Sequence, residues 1–336
     1  MSKKLRVGII GCGKIANVDH VPGYLSIPGV EVVSLMDIEP SQMDKLNQNH
    51  GLDAESFQSL TQFLTSGLDA VSVCTPNCFH YEHTLAAFKA GLHVLCDKPM
   101  AAVLPEATRM IKEAEKAGKV LQINHSLHYH APYVKIAELV QAGKIGTPIH
   151  VRCLRSGGTT PDVSWSPGAT WFVSKAFQGG VVLDIGVHMA ELMQWVAGEI
   201  TEVASFVDTR LQHIDVPDNA NALMRFANGA TGMLTLSWTT PVGGGYFEVF
   251  GTEGTIRQGF GPEPIEMIQT SKSGRTKTTY PKPKAKLKRS QRGFVDAILG
   301  KAPSITPGEL GREAVALCAA IQESSDKRRF VKVKRF

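Results

Sequence analysis

The stretch Leu5-Arg6-Val7-Gly8-Ile9-Ile10-Gly11-Cys12-Gly13-Lys14-Ile15-Ala16 decides the fold. Leu5 to Ile10 is an apolar run that reads as a buried strand, and the glycine-rich turn after it leads into a helical segment. Glycine at 11 and 13 lets the backbone turn tightly and leaves room for a pyrophosphate to approach the main chain. The small Ala16 lets helix and strand pack closely, and the helix N-terminus offers N–H groups and a partial positive charge. A lone Gly-x-Gly-x-x-Ala string occurs in many loops. Here a second apolar run, Val32 to Met36, ends at Asp37, 24 residues past Gly13. That is the range expected for an acid that hydrogen-bonds an adenosine ribose. Together these elements predict a dinucleotide site lined by Gly11, Gly13, Lys14, Ile15 and Asp37. Asp37 is followed by Ile38, with no adjacent arginine or lysine. A 2′-phosphate there meets a carboxylate with no compensating cation, so the expected cofactor is NAD rather than NADP.

Outward from this turn, β-branched apolar runs alternate with helical patterns through the first 125 residues. Strands are expected at Arg6–Ile10, Glu31–Met36, Ala70–Cys74, His93–Cys96 and Val120–Ile123, and helices at Tyr81–Ala90 and Pro105–Ala117, each closed by a glycine turn. Such alternation argues for a doubly wound parallel sheet. After helix Pro132–Gln141 the pattern changes. A strand-like Thr147–Leu154, a Trp/Pro/Gly-rich region from Ser156 to Gly180 and a short helix Val187–Ala197 precede strand-like segments at Glu202–Val207, Ala220–Phe226, Thr231–Ser237, Tyr246–Phe250 and Gly254–Gln258. Turns such as Asn228-Gly229 and Glu253-Gly254 separate them, which suggests a mostly antiparallel sheet. Helices near Gln291–Leu299 and Glu309–Ser325 close the chain. The expectation is an α/β protein: a dinucleotide-binding domain over 1–125, then an α+β domain with an open sheet over 126–336.

The 336 residues suffice for two ordinary domains, and 43% hydrophobic with 20% charged residues is a globular composition. The net charge of +5 owes much to Lys272–Arg292, a run without an acidic residue. Broken by Gly274, Pro281 and Pro283 and with Tyr280 as its one aromatic, it reads as a solvated hairpin and loop surface rather than a nucleic-acid site. Six cysteines (Cys12, Cys74, Cys78, Cys96, Cys153, Cys318) show no Cys-x-x-Cys pair, and several end apolar runs; they read as buried small residues in a reducing compartment. No apolar run reaches membrane-span length, and Met1-Ser2-Lys3-Lys4 precedes too short an apolar stretch for a secretory signal, so the expected location is the cytoplasm.

The chemistry-bearing residues stand at strand ends and in one helical turn. Cys74-Thr75-Pro76-Asn77 with His80, and Cys96-Asp97-Lys98-Pro99-Met100, follow first-domain strands, where the carboxyl ends of a doubly wound sheet face the ligand crevice. Cys74, Thr75, Asn77, His80, Asp97 and Lys98 are thus expected along the cofactor, with Lys98 projecting into the cleft. Gly179-Gly180 precedes Asp184 and His188, which are four apart and share a face if the turn is helical. A carboxylate beside an imidazole can orient it and raise its basicity; an N-capping aspartate and a packed histidine is the rival reading. Asn124 and His125 are expected to line the substrate cleft. His125, His128 and His130 lack a nearby Cys or Glu to complete a tetrahedral set, so no metal is expected. Trp165 and Trp171 are read equally as sugar-stacking residues or interdomain core.

In this order the motifs resemble the Gfo/Idh/MocA oxidoreductase family. The resemblance rests on Gly11 to Ala16, Cys74-Thr75-Pro76-Asn77 with His80, Ala90-Gly91-Leu92-His93-Val94-Leu95-Cys96-Asp97-Lys98-Pro99, Gly179-Gly180 with Asp184 to His188, and Phe250-Gly251-Thr252-Glu253-Gly254-Thr255, and it covers nearly the whole chain. It implies a Rossmann domain followed by an α/β domain whose open sheet forms a dimerisation face, hence a homodimer or homotetramer. It also implies that Lys98 contacts cofactor and reacting hydroxyl, and that Asp184 and His188 bind substrate and pass the proton. Asp97 stands in place of the common Glu. His128-Tyr129 stands where many members carry Arg-Phe, and Glu191 where an Asp is frequent. The expected activity is hydride transfer between NAD and a secondary hydroxyl of a sugar, cyclitol or glycoside. The alternatives are an NAD-dependent glycosidase working by oxidation, elimination and re-reduction, and a non-catalytic nucleotide-sensing regulator.

Overall fold

The computed structural model describes residues 4–259, 264–271, 274–281 and 289–336. The chain divides into two compact units: 4–126 with 289–312, and 127–281 with 313–336, each less the residues not described.

In the first unit a parallel sheet is built from β1 (Leu5–Ile10), β2 (Val30–Met36), β3 (Glu55–Phe57), β4 (Ala70–Val73), β5 (His93–Cys96) and β6 (Leu121–Ile123), in the order β3-β2-β1-β4-β5-β6. The order reverses direction between β1 and β4, the switch point at which doubly wound sheets bind ligands. All four residues of β4 are buried, as befits a central strand covered on both faces. Helices α1 (Val21–Leu25), α2 (Pro40–His50), α3 (Leu60–Phe63), α4 (His80–Lys89) and α5 (Leu104–Ala117) connect the strands. Gly51 and Gly118, both left-handed, close α2 and α5.

The first unit also takes back a late segment, α8 (Ser290–Ile298) and the start of α9 (Gly308–Lys327), leaving α6 (Ala131–Gln141) and α7 (Val187–Ala197) to the second unit. Phe294 and Val295 join the core formed by Val7, Ile9, Val21, Tyr24 and Leu95. Gln122 Nε2 donates to the Ser290 carbonyl at 2.8 Å, and Gly308 abuts Leu121 so closely that a side chain there would collide with it. A division at 125/126 leaves this returning segment out. It returns because its apolar face completes the side of the sheet beside β5 and β6.

In the second unit β7 (Pro148–Ser156), β8 (Ile200–Asp208), β9 (Asn219–Phe226), β10 (Thr231–Ser237), β11 (Gly244–Gly251), β12 (Gly254–Gly259), β13 (Ile265–Ser271), β14 (Gly274–Tyr280) and β15 (Val331–Lys332) form a sheet in the order β14-β13-β12-β11-β7-β10-β9-β8-β15. Its pairings are antiparallel except between β7 and β10. One face is covered by helices: Met193 of α7 reaches Gly232 of β10, and Ser324 of α9 accepts the Ser205 N–H. The other is open, so β9 alternates buried Ala222, Met224 and Phe226 with exposed Asn221, Leu223 and Arg225. Of the basic run 272–292, residues 274–280 form β14, an exposed hairpin arm, while 272–273 and 282–288 lie outside the described residues. The six cysteines are free thiols, buried apart from the half-buried Cys78. No helix among the described residues is long and apolar enough to cross a membrane.

Candidate active site

The turn after β1 is built by contact with the backbone. Gly11 has φ +88°, and a Cβ on it would lie 2.8 Å from the Cys74 carbonyl carbon and the Thr75 nitrogen. Only glycine fits, and the β1 and β4 turns therefore touch main chain to main chain. Gly13 differs, because a Cβ there would meet nothing within 4 Å. It faces open space at the start of the helical segment that carries Lys14 and Ile15. Asp37, at the end of β2, accepts the Cys12 N–H at 2.7 Å and the Glu39 N–H at 2.9 Å, one on each carboxylate oxygen. Each oxygen keeps a lone pair for a ribose hydroxyl, so the cradle fits a dinucleotide. Beside Asp37, burial pushes the Cys12 thiol well above its ordinary range.

His80 is buried with both ring nitrogens on main-chain carbonyls, Nδ1 on Pro99 and Nε2 on Thr75, each at 2.7 Å. With its single N–H the neutral ring donates to one of these carbonyls, so it lies between the turn after β4 and the turn after β5. Burial pulls its pKa below the ordinary histidine value, against the Pro99 carbonyl and Asp97, which pull it up. Thr75 Oγ1 meets His83 Nδ1 at 3.1 Å, and burial brings His83 down to about 4. Cys74 and Asn77 are buried beside this turn.

Lys98 is half-buried directly after β5, and its peptide bond to Pro99 is cis. The preceding Asp97 belongs to a buried network that no sequence motif announced. Asn124 Nδ2 lies 3.0 Å from Asp97 Oδ1, 3.1 Å from Asp19 Oδ2 and 3.1 Å from His20 Nε2. An amide carries two hydrogens. The count closes if Asn124 donates to both carboxylates while His20 Nε2–H is directed at Asp97, 3.6 Å away. His20 Nδ1 then accepts from Ser72 Oγ at 3.0 Å, and Ser72 from the Tyr24 hydroxyl at 2.8 Å. Burial alone would raise the Asp97 carboxyl; His20, Lys98 and His80 around it instead hold it well below the usual carboxylate range. A fixed anion thus stands next to the Lys98 ammonium. The one hint in sequence was Ser72, a hydroxyl inside an otherwise apolar strand.

In the second unit Gly179 and Gly180 make room for the approach to α7. A side chain on Gly179 would strike the Phe172 carbonyl, and Gly180 has φ +107°. Val182–Gly186 then forms a wide π-type turn that runs directly into α7. Asp184 on this turn and His188 at the start of α7 are both half-buried. Four residues advance by a little under one π turn or a little over one α turn, so the two side chains share a face in either geometry. His128 is buried against Glu191 of α7, Nε2 to Oε1 at 2.8 Å, and stacks on Trp195 with ring centroids 4.0 Å apart. His130 precedes α6 and leans on Tyr133, while His125 and Asn124 are buried after β6. Among the described residues no three potential metal ligands come together. Trp171 stacks on Phe172 at 3.7 Å, and Trp165 is exposed.

A parallel sheet whose second strand ends in an acid and whose first turn is open at Gly13, in a chain that also carries an open, mostly antiparallel sheet, is the architecture of a dinucleotide-dependent oxidoreductase. Residues 5–125 match the model of the oxidoreductase family with an NAD-binding Rossmann fold, and residues 133–257 match the GFO/IDH/MocA C-terminal domain. The chain belongs to the Gfo/Idh/MocA family of NAD-binding oxidoreductases. It is 33% identical to the 1,5-anhydro-D-fructose reductase of Ensifer adhaerens over 75% of this chain and 74% of that protein. It is 37% identical to the D-glucoside 3-dehydrogenase of Escherichia coli (strain K12) over 59% of this chain, a match that spans 55% of that relative's length. The WlbA dehydrogenase of Bordetella pertussis, solved with NADH and UDP-GlcNAcA, shares the fold: the TM-score is 0.86 at 23% identity, covering 99% of this chain and 100% of that one.

Proposed function

We propose that this protein transfers a hydride between NAD and a secondary hydroxyl of a sugar, cyclitol or glycoside. The observation that carries the reading is Lys98, set at the carboxyl end of β5 beside Asp97, whose carboxyl is held below the usual carboxylate range. Two of its relatives are a sugar-derivative reductase and a glucoside dehydrogenase, which supports a carbohydrate substrate.

Gly11, Gly13, Lys14 and Ile15 cradle the pyrophosphate, and Asp37 accepts the adenosine ribose hydroxyls. Cys74, Thr75 and Asn77 line the nicotinamide side, with His80 locking their turn. NAD, when bound, supplies the hydride-accepting ring carbon. Lys98 hydrogen-bonds the substrate hydroxyl and stabilises alkoxide charge as it develops, a role of the oxyanion-donor type worth about 3 kcal/mol. His188 takes the hydroxyl proton and Asp184 holds imidazole and substrate in place. Trp165 and Trp171 contribute to the substrate wall by stacking on sugar rings, whereas Asn124 is spent in the buried network around Asp97 and His125 is buried.

A panel of polyols and glycosides, scored for both NADH formation and product release, tests this reading. NADH formation that disappears in His188→Ala is the expected result. Net hydrolysis without NADH would instead mark the oxidation–elimination–re-reduction glycosidase, and full turnover in His188→Ala would remove the proposed base.

The open sheet face carries Phe206 at 77% and Leu223 at 57% exposure on neighbouring strands, and we assign it to a homodimer contact. Sedimentation of Phe206→Glu/Leu223→Arg should show monomers. A mass unchanged from wild type would place any dimer contact elsewhere, and twice the dimer mass in wild type would reveal a tetramer.

A further inference from the structure

Glu191 lies on α7 three residues after His188, and Trp195 one turn further on the same helix. His128, on the short turn Ser126–Tyr129, meets both: its Nε2 is 2.8 Å from Glu191 Oε1 with both side chains 4% exposed, and its ring lies on the Trp195 indole. These are two of the positions at which the sequence departs from the pattern it resembles, and in the fold they form a single contact. Glu191 Oε2 is buried with no partner among the described residues, so the bond to His128 is what holds this carboxylate. A buried carboxylate stripped of its partner is strongly disfavoured, so the bond fixes where α7 can lie.

That constraint matters because of how α7 begins. The wide turn Val182–Gly186 runs directly into α7, and a Cβ on its buried Gly186 would lie 3.0 Å from the Leu236 side chain. His188 sits in the first turn of α7, and the ring and carboxylate contacts at Glu191 and Trp195 grip the next two turns on one side. We infer that His128 and Glu191 are positioning residues: their buried hydrogen bond, braced by Trp195, sets the rotation of α7 and with it the direction of the His188 imidazole. The inference rests on the reading of His188 as the proton acceptor. A misplacement of about 1 Å at a reacting group costs on the order of 100-fold in rate, which makes a small rotation of α7 measurable.

The test compares wild type, Glu191→Gln, and the reciprocal pair His128→Arg/Glu191→Asp. Arg reaches further than His and Asp less far than Glu, so the pair spans the same gap. Three quantities are read: kcat and KM on a substrate from the panel, Kd for NADH by fluorescence, and the His188 ring signals in the NMR spectrum of histidine-labelled protein. Folding of each variant is checked by its melting transition. Glu191→Gln is expected to lower kcat by about 10- to 100-fold, to leave NADH affinity unchanged and to shift the His188 signals. The reciprocal pair should restore most of kcat and the wild-type signals. A folded Glu191→Gln with unchanged kcat and unchanged His188 signals overturns the inference, as does a folded reciprocal pair that restores neither kcat nor the wild-type signals. Full turnover in His188→Ala would sink the functional reading alone, and the His188 signals in Glu191→Gln would still decide whether the pair positions that ring.

Discussion

The first unit holds its glycine turn and Asp37 by main-chain contacts, with Asp97 in a side-chain network, whereas around α7 of the second unit side chains hold side chains. Gly11 lies on the backbone of Cys74 and Thr75, Asp37 accepts two backbone N–H groups, and the His80 ring lies between two backbone carbonyls. Around α7, by contrast, His128 meets Glu191 and Trp195, and Trp171 meets Phe172. Backbone contacts cannot be changed without changing the fold, whereas side-chain pairs can be exchanged while the helices stay in place. That division suits a protein whose cofactor is a constant and whose substrate is a variable.

The contrast is most directly broken at Lys98, a side chain among main-chain supports. Lys98→Met should reduce turnover by about 100- to 1,000-fold with NADH affinity near wild type, as read by steady-state kinetics and fluorescence titration. Turnover retained in this variant would shift the chemistry to the second unit. The two glycines sharpen the comparison next. Gly11→Ala places a methyl 2.8 Å from backbone atoms at φ +88°, and the left-handed conformation alone costs about 1–2 kcal/mol, so denaturant unfolding should show a loss above that range together with lost NADH binding. Gly13→Ala meets nothing within 4 Å, so stability should hold while NADH affinity falls. If both variants unfolded alike, the gap over Gly13 would be structural rather than a place for a ligand.

A weaker effect should appear with pH. Burial lowers the pKa of His83 to about 4 and lowers that of His80 as well. The unfolded chain therefore binds protons that the folded chain refuses, and stability falls as pH drops from about 6.5 toward 4. Asp97, whose folded pKa is depressed, keeps its contribution throughout that window and loses it only at lower pH. Unfolding curves between pH 7 and 4 check the sign, and His83→Phe should flatten part of the slope. The smallest change is expected from Trp171→Ala, which removes a stacking surface worth about 0.5–1.5 kcal/mol and should raise KM for a sugar severalfold with kcat little altered.

Much of the first unit was legible because glycine, apolar runs and strand-end acids each impose a local rule. The five expected strands are present with ends displaced by one residue or so, but β3 was missed: three residues at a sheet edge leave no periodic signal. Helix α2 was missed because it buries only Met43 and Leu46 along eleven residues. In the second domain the parallel pairing of β7 with β10 was invisible, since both read as ordinary alternating strands and the partner choice is made by the helices laid across them. Gly11, Asp37, Asp184 and His188 could be picked out by spacing. His20 and Tyr24 could not, and Ser72 showed only as a hydroxyl in an apolar strand, because their contacts join residues some fifty positions apart. His128 and Glu191 were seen as two separate departures; only the fold shows that they are one.

The return of residues 289–312 to the first unit has a consequence for the order of synthesis. The ribosome delivers most of this unit early, yet the Ile123 N–H waits for the Thr306 carbonyl, Gln122 waits for Ser290 and Ser304, and the core waits for Phe294. Throughout the making of the second sheet, the nascent chain therefore carries an unfinished strand edge at β6. A protein truncated at residue 126 would keep its nucleotide turn but lack the closing segment. In that sense the earliest part of the chain to appear is among the last to become complete.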